Sequence, residues 1–398
     1  MTNNEVERMN ITFLLGNGFD IGLRMPTRYE DFYRKYCKIS DEDTDNIRAF
    51  KEMLLKRNDE DTKKIINWSD FEKAFGEHSA DETLNKTTYI ERFEDFVRRF
   101  NTYLEDVEKC VDLSNTDEVG RIMDEACTSC FKIRRADEDA INTFFRRFDS
   151  VRTYNFATFN YTKTVDRCVD ALRQRLRSMA QRSVGSVVHI HGYIEENMIV
   201  GVNDPSQILN PNFAGDPDIV AELVKPRQNS DSRTAYEKAL KAVIDGSNVI
   251  CVYGMSIGAT DKIWWDYISQ WLSKSDTRIL LILSHEEKYN KRFPFDQKRF
   301  IDPIVSTFMS YSSLTNTEKD KIRSRMYVGI NNDVFAMNAF SFEAFEKMYP
   351  SDPPENDLQN RVNKLEKRLN EQPRIIVSDT EPTDHKKGDI WLKPVAPH

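Results

Sequence analysis

Short runs of apolar and β-branched residues, without strict alternation of polar positions, predict strands of a sheet that is buried on both faces. Four runs have this pattern: residues 11–15, 153–159, 249–253 and 278–283. A fifth predicted strand, residues 184–190, is less uniformly apolar. A sixth segment, residues 198–202, is expected to pair with residues 184–190 as a hairpin across a turn at residues 195–197.

Amphipathic helices are predicted between the later strands, because apolar residues recur there at intervals of three and four. The clearest single helices are residues 161–179, 232–245 and 261–274. Strands that alternate with helices in this way form a parallel sheet with helices on both faces. The sequence therefore predicts an α/β fold with a mostly parallel, Rossmann-like sheet.

A long, charged region separates the first two predicted strands. Residues 27–150 contain several amphipathic segments, of which residues 89–111 are the clearest. This region is too long for one crossover helix. We expect a helical insertion at about residues 27–150 that packs beside the sheet and covers or lines the site.

The C-terminal part of the chain changes character after Tyr349. A proline-rich linker precedes a charged helix at residues 356–370, whose leucine and valine spacing is typical of a short coiled-coil seam. Residues 374–377 and 389–392 are expected to form a small β unit. We therefore predict an α/β domain at residues 1–349, a linker and coiled-coil helix at 350–371, and a β-rich tail at 372–398. The seam suggests a homo-oligomer.

Composition narrows the function classes. The chain has 398 residues, of which 39% are hydrophobic and 31% charged, as in globular proteins. The formal net charge of −8 argues against a protein that mainly binds nucleic acid. No apolar run is long enough to span a membrane, and the first ten residues do not resemble a signal peptide. The sequence predicts a cytoplasmic protein.

Cysteine usage predicts neither a disulfide framework nor a metal site. The six cysteines are scattered through a long chain. Cys127 and Cys130 form a single CxxC pair within a predicted helix, whereas a structural zinc usually needs four ligands. We interpret both as residues of a helix face and expect no metal.

The clearest local motif follows the first predicted strand. It reads Gly16-Asn17-Gly18-Phe19-Asp20 and leads into a predicted helix. Glycines there allow a phosphate to approach the backbone, and a helix N-terminus attracts anions. The next glycine, Gly22, comes one residue later than in the standard dinucleotide fingerprint. A tight strand–helix turn without a ligand is the alternative interpretation.

Other predicted strands also end in small or polar residues. Asn160 follows the second strand, His191 follows the strand at residues 184–190, and Gly254 and Ser256 follow residues 249–253. In open α/β sheets, ligands bind at the carboxyl ends of the strands. The sequence therefore predicts a binding site at this edge.

Each of these polar residues also has a structural alternative. Asn160 stands before a predicted helix, where it would be a preferred N-cap. His189 and His191 are expected on the same strand face, and either would serve as a hydrogen-bonded core histidine. Asp204 fits an Asx turn and Asp261 the first turn of a helix, although both would also suit a pocket wall. Trp264 and Trp265 are expected in the core.

These motifs together resemble those of the AbiH family of phage abortive infection proteins. The resemblance rests on residues 16–20, on Gly22 to Phe32, and on the blocks at 159–162, 189–192 and 254–256. Their order is similar to that in sirtuin-like NAD-binding proteins. The resemblance covers about residues 10–285. The zinc-ribbon cysteines of protein deacetylases are absent, which counts against lysine deacylation.

The resemblance implies roles for individual residues. Gly16, Asn17, Gly18, Phe19 and Asp20 would bind NAD along its diphosphate and adjoining ribose. Asn160 would orient the nicotinamide ribose and a water molecule, and His191 would be the catalytic base. Gly254 and Ser256 would contact the second phosphate and adenosine.

The resulting hypothesis is an antiphage NAD glycohydrolase, triggered by a phage-derived protein. Imidazole, with an ordinary pKa of about 6.5, accepts a proton at physiological pH. A positioned general base typically contributes about 10²- to 10⁴-fold to the rate. Two alternatives stay open: a nucleotide-binding sensor or scaffold without turnover, and a nuclease, which the acidic balance disfavours.

Overall fold

The computed structural model describes residues 8–59, 68–148, 151–196, 198–202, 204–225, 230–286, 288–290, 292–350, 375–377 and 390–392. The chain divides into two compact units, Met1–Phe345 and Glu346–His398. The predicted coiled-coil helix at residues 356–370 lies outside the described residues.

The first unit is built on a parallel sheet, which confirms the predicted Rossmann-like α/β fold. Six strands pair within the described ranges, in the order β3-β2-β1-β4-β5-β6. They are β1 Met9–Leu15, β2 Arg152–Thr158, β3 Arg182–His189, β4 Val249–Tyr253, β5 Ile279–Ser284 and β6 Met326–Ile330. The order reverses between β1 and β4. This reversal point opens a crevice at the carboxyl ends of the strands.

Seven helices are described between β1 and β2. They are α1 Gly18–Gly22, α2 Tyr29–Tyr36, α3 Asp45–Asp59, α4 Trp68–His78, α5 Lys86–Lys109, α6 Thr116–Ser129 and α7 Arg135–Phe145. The later helices are α8 Thr164–Leu176, α9 Pro211–Ala214, α10 Pro217–Leu223, α11 Ser230–Asp245, α12 Lys262–Ser273, α13 Pro294–Ser310, α14 Asn316–Arg323 and α15 Phe342–Met348.

Alternating side chains place different helices on the two faces of the sheet. Val188 belongs to a buried cluster that includes Trp265 of α12 and Leu240 of α11. The next residue, His189, points the other way and bonds Asp166 of α8. The sheet is therefore covered on both faces, as its apolar strands require.

Helix α5 connects the helical insertion to the edge of the sheet. Its N-cap, Asn85, accepts a hydrogen bond of 3.0 Å from the Thr88 N–H. Phe32 of α2 packs against its Phe96 and Phe100, with ring centroids 5.2 and 5.1 Å apart. Its buried side chains recur at three- and four-residue spacing: Tyr89, Phe93, Phe96, Phe100, Tyr103, Leu104 and Val107.

The predicted hairpin partner at residues 198–202 is wrong. Gly192 and Glu195 have φ of +67° and +74°, which turns the chain away from the sheet edge after β3. The Ile199 N–H donates to the His191 carbonyl at 2.8 Å, and Val202 forms only an isolated bridge with Val224. Beyond the first unit, β7 Ile375–Val377 pairs in parallel with β8 Ile390–Leu392, as predicted for a small β unit.

Among the described residues, no helix combines the length and the apolarity that crossing a membrane requires.

The glycine-rich turn is held against β4 by direct backbone contact. The Gly18 N–H donates to the Gly254 carbonyl at 2.8 Å, and Gly254 has φ of +65°. A Cβ atom added to Gly18 would lie 2.3 Å from the Gly254 Cα. Since backbone atoms form this contact, neither side can move aside for a larger residue.

We expect Gly18→Ala to lower the free energy of unfolding by about 1–3 kcal/mol or more, because it overpacks a backbone contact. Urea unfolding of the full chain measures the change. Gly215→Ala is the matched control, since its Cβ would meet only the Pro211 carbonyl at 3.5 Å. Equal stability of the two variants would contradict the proposed role of the contact.

Candidate functional site

The carboxyl ends of β1 to β4 surround a cavity of about 230 Å³, here called the first cavity. The glycine-rich turn, the segments that follow β2, β3 and β4, and helices α4 and α5 form its wall. Its lining residues are Gly16, Asn17, Asp20, Thr27, Glu72, Phe100, Leu104, Phe159, Asn160, Tyr161, Thr162, His191, Lys225, Gly254, Met255, Ser256 and Asp261.

The structure brings most of the predicted site residues to this cavity. Two members of the glycine motif are placed differently. Gly18 lines a neighbouring cavity instead. Phe19 is fully buried against Phe335, with ring centroids 5.6 Å apart, and lines neither cavity. Its role is to anchor the turn in the core.

The N–H groups of the glycine-rich turn are used within the protein. The Gly16 N–H donates to the Tyr253 carbonyl at 3.0 Å, and the Gly18 N–H to the Gly254 carbonyl. The side chain of Asn17 is also engaged, since it donates to the Thr27 carbonyl and accepts from the Thr27 hydroxyl. In this conformation the turn is a structural joint as well as a cavity wall.

Asp20 is a buried carboxylate at the floor of the turn. Its oxygens accept hydrogen bonds from the hydroxyls of Thr162 at 2.8 Å and Thr164 at 2.7 Å. Burial raises the pKa of Asp20 from 3.8 to about 6, and hydrogen bonds from Thr164 and Thr162, together with the nearby Asn160 amide, offset part of that rise. A second carboxyl nearby, Glu108, also has a pKa raised by burial, partly offset by the Lys163 N–H.

Asn160 lies between β2 and α8 and is only 5% exposed. Helix α8 begins at Thr164, so the alternative that Asn160 caps this helix is wrong. Its backbone N–H donates to the Thr158 hydroxyl at 3.0 Å. Within the described part of the chain its Nδ2 atom has no hydrogen-bond partner, although the amide is near enough to lower the pKa of Asp20. A buried donor without a partner is what a ligand or water would satisfy.

The two histidines after β3 have different surroundings. Strand β3 ends at His189, so the expectation of a common strand face does not extend to His191. His189 Nε2 lies 2.7 Å from Asp166 on α8, outside the cavity wall. His191 lines the first cavity, with Nε2 3.3 Å from Asp261 and its ring beside Phe159. A neighbouring carboxylate orients an imidazole and stabilises its protonated form.

A buried ion pair that sequence patterns did not predict completes the wall. Lys225 Nζ lies 2.8 Å from Glu72 on α4, and both residues are at most 7% exposed. The other Glu72 oxygen accepts from the Gly201 N–H at 3.3 Å. The pair joins the helical insertion to the connection between β3 and β4.

The remaining sequence candidates are structural. Asp204 accepts from the Ser206 N–H at 2.9 Å, as in the predicted Asx turn. Trp264 and Trp265 are buried in the core, as expected. Cys127 and Cys130 are buried as well. Among the described residues, no three His, Cys, Asp or Glu side chains form a group that could hold a metal ion.

A larger cavity of about 690 Å³, here called the second cavity, lies at the ends of β4, β5 and β6. It shares Asn17, Gly254, Met255 and Ser256 with the first cavity. The contact between Gly18 and Gly254 therefore lies at the boundary of the two spaces.

The pKa of Asp20 predicts a pH-dependent contribution to stability. A carboxyl with a raised pKa binds its proton more tightly in the folded state, so its contribution is greatest below about pH 4 and is lost as pH rises through about 6. The stability of wild type relative to Asp20→Asn should fall by ~3 kcal/mol across that window. Urea unfolding of both proteins at several pH values measures it.

Asp81→Asn is the control for the direction in which stability changes with pH. Hydrogen bonds from Thr83 lower the pKa of Asp81, so its stabilisation is lost as pH falls. A wild-type minus Asp20→Asn difference that does not change between pH 4 and 7 would refute the assignment.

Comparison with known proteins gives the family. The model of the bacteriophage abortive infection AbiH family matches residues 12–283, which run from within β1 to within β5 and include both cavity walls up to Leu283. No curated protein matches the chain. The matched range contains every residue that lines the first cavity. The chain belongs to the AbiH family and has a role in bacteriophage abortive infection.

Proposed function

We propose that this protein binds NAD and hydrolyses it at the nicotinamide–ribose bond. The observation that carries the proposal is the first cavity, where Asn160, His191 and Asp20 meet at the carboxyl edge of a parallel sheet. The partnerless Nδ2 of Asn160 supports a polar ligand there. Depletion of NAD would halt host metabolism, which fits the abortive infection role of the family.

The sheet order and the two cavities favour a dinucleotide. The order 3-2-1-4-5-6 is that of dinucleotide-binding folds, which bind at the reversal point. The first cavity alone is smaller than most ligand pockets, which measure about 300–1,000 Å³. NAD would place its nicotinamide ribose in the first cavity and its ADP part in the second, next to the residues that both cavities share.

The residues of the first cavity suit hydrolysis of an N-glycosidic bond. Water attacks the anomeric carbon, the bond to the pyridinium nitrogen breaks with its electron pair, and neutral nicotinamide leaves. His191 would accept the proton released by that water, and Asp261, 3.3 Å away, would stabilise the imidazolium. Asn160 would hold the water or a ribose hydroxyl, since its amide both donates and accepts.

Asp20 fits the ribose end of the substrate better than the diphosphate. A carboxylate repels phosphate but stabilises the positive charge that develops on the ribose as the bond breaks. Two threonine hydroxyls hold this carboxylate in place before any substrate binds. We therefore assign Asp20 to the ribose side of the first cavity.

A nucleotide-binding sensor without turnover is the second candidate. The observation that favours it is the closed glycine contact, which limits the first cavity to about 230 Å³. Such a protein would use Asn160 and His191 to shape a pocket rather than to activate water.

We expect His191→Ala and Asn160→Ala each to reduce nicotinamide and ADP-ribose release from NAD by about 10²- to 10⁴-fold, because each removes a group that handles the attacking water. Chromatography of the products measures release. Asn101→Ala is the control, since Asn101 bonds Glu105 along α5 away from this cavity.

Wild-type rates in His191→Ala would exclude His191 as the base. If the wild-type protein releases no nicotinamide or ADP-ribose, the assay is repeated in extract from infected cells, which supplies the expected phage-derived trigger. If no product forms in that extract either, the hydrolase proposal is rejected and the nucleotide-binding sensor is favoured.

A further inference from the structure

Two arginines line the second cavity beside the segments that follow β4, β5 and β6. Arg24 and Arg28 are both exposed, and neither forms an ion pair with another described residue. The same wall contains His285 and Asp333, which lie 3.8 Å apart. Arg24 and Arg28 are the permanently charged cations among the lining residues, so they give this wall its positive charge.

Arg24 is held in a backbone conformation that side chains disfavour. Its φ of +66° lies in the left-handed region, where glycine or asparagine is usual after a helix. The conformation is fixed by bonds from the Arg24 N–H to the Ile21 carbonyl and from the Met25 N–H to the Asp20 carbonyl. Strain of this kind is concentrated at functional sites. An arginine at this position therefore indicates that its side chain has a functional role.

Three N–H groups of the glycine-rich turn are already used within the protein in this conformation. The N–H groups of Gly16, Gly18 and Phe19 donate to main-chain carbonyls. A phosphate that bound the Gly16 or Gly18 N–H would have to break a bond that holds the turn to the end of β4. Charged side chains at the same crevice avoid that loss, because a guanidinium binds phosphate oxygens through two parallel N–H groups.

We propose that the second cavity binds the phosphate-bearing part of a nucleoside diphosphate, and that Arg24 and Arg28 hold its phosphates in place of the glycine-turn N–H groups. The identity of the ligand as part of NAD rests on the proposed function. The arginine contacts themselves do not require turnover.

The test is calorimetric titration of the full chain with ADP-ribose, ADP and adenosine. ADP-ribose is a product of the proposed reaction, so hydrolysis does not consume the probe. Arg24→Gly removes the guanidinium and suits the positive φ, whereas Arg24→Lys keeps the charge. Arg28→Gln is compared with Arg34→Gln, which alters an exposed α2 arginine that pairs with Glu30 outside the cavity.

We expect Arg24→Gly and Arg28→Gln each to weaken binding of ADP-ribose and ADP by about tenfold or more. Adenosine affinity should change less than about twofold, because it has no phosphate. Arg24→Lys should be intermediate and Arg34→Gln unchanged. Circular dichroism confirms that each variant is folded.

Unchanged ADP-ribose affinity in Arg24→Gly and Arg28→Gln would overturn the inference while leaving NAD hydrolysis open. Failure of the wild-type protein to bind ADP-ribose or ADP would overturn it as well, whether or not NAD is hydrolysed. Arginine-dependent binding without hydrolysis would uphold the inference and reject the hydrolase.

Discussion

The backbone contact between Gly18 and Gly254 is the constraint on which the site depends. It joins the turn after β1 to the end of β4, at the place where the strand order reverses. Because two main chains touch there, the first and second cavities are kept distinct but adjacent. The same contact uses N–H groups that a glycine-rich turn would otherwise offer to an anion. The turn therefore serves as a structural joint between β1 and β4.

The charged side chains at this edge of the sheet differ between the first and second cavities. The first cavity contains the carboxyl groups of Asp20 and Asp261, beside His191 and the paired Lys225 and Glu72. The second contains two exposed arginines, Arg24 and Arg28. An acidic wall suits a ligand that becomes positively charged, and a basic wall suits phosphate. The proposed substrate has both kinds of group, because its nicotinamide ribose is joined directly to its diphosphate.

The sequence predicted the parts of the molecule that local patterns determine. Both ends of strand β4 were predicted correctly, because a short buried run between Asn248 and Gly254 has few alternatives. Strand β6 was missed, since Gly329 interrupts a short edge strand. Asn160, His191 and Gly254 follow strands, so topology alone brings them together. Glu72 and Lys225 are 153 residues apart and pair only in the folded chain, and no local pattern indicates that Arg24 faces a cavity.

The position of β1 has a consequence for how this protein is made. The first strand of the chain is central in the sheet, and its two neighbours come from far along the sequence: Met9 pairs with Arg152, and Asn10 bonds Asn248, 238 residues away. Pairing over such separations is slow, because the ends of a long loop must meet first. A nascent chain that stops before Gly254 has neither the joint nor the wall that β4 provides. The ribosome must therefore translate most of the chain before the candidate site can form, so truncated products lack part of its wall.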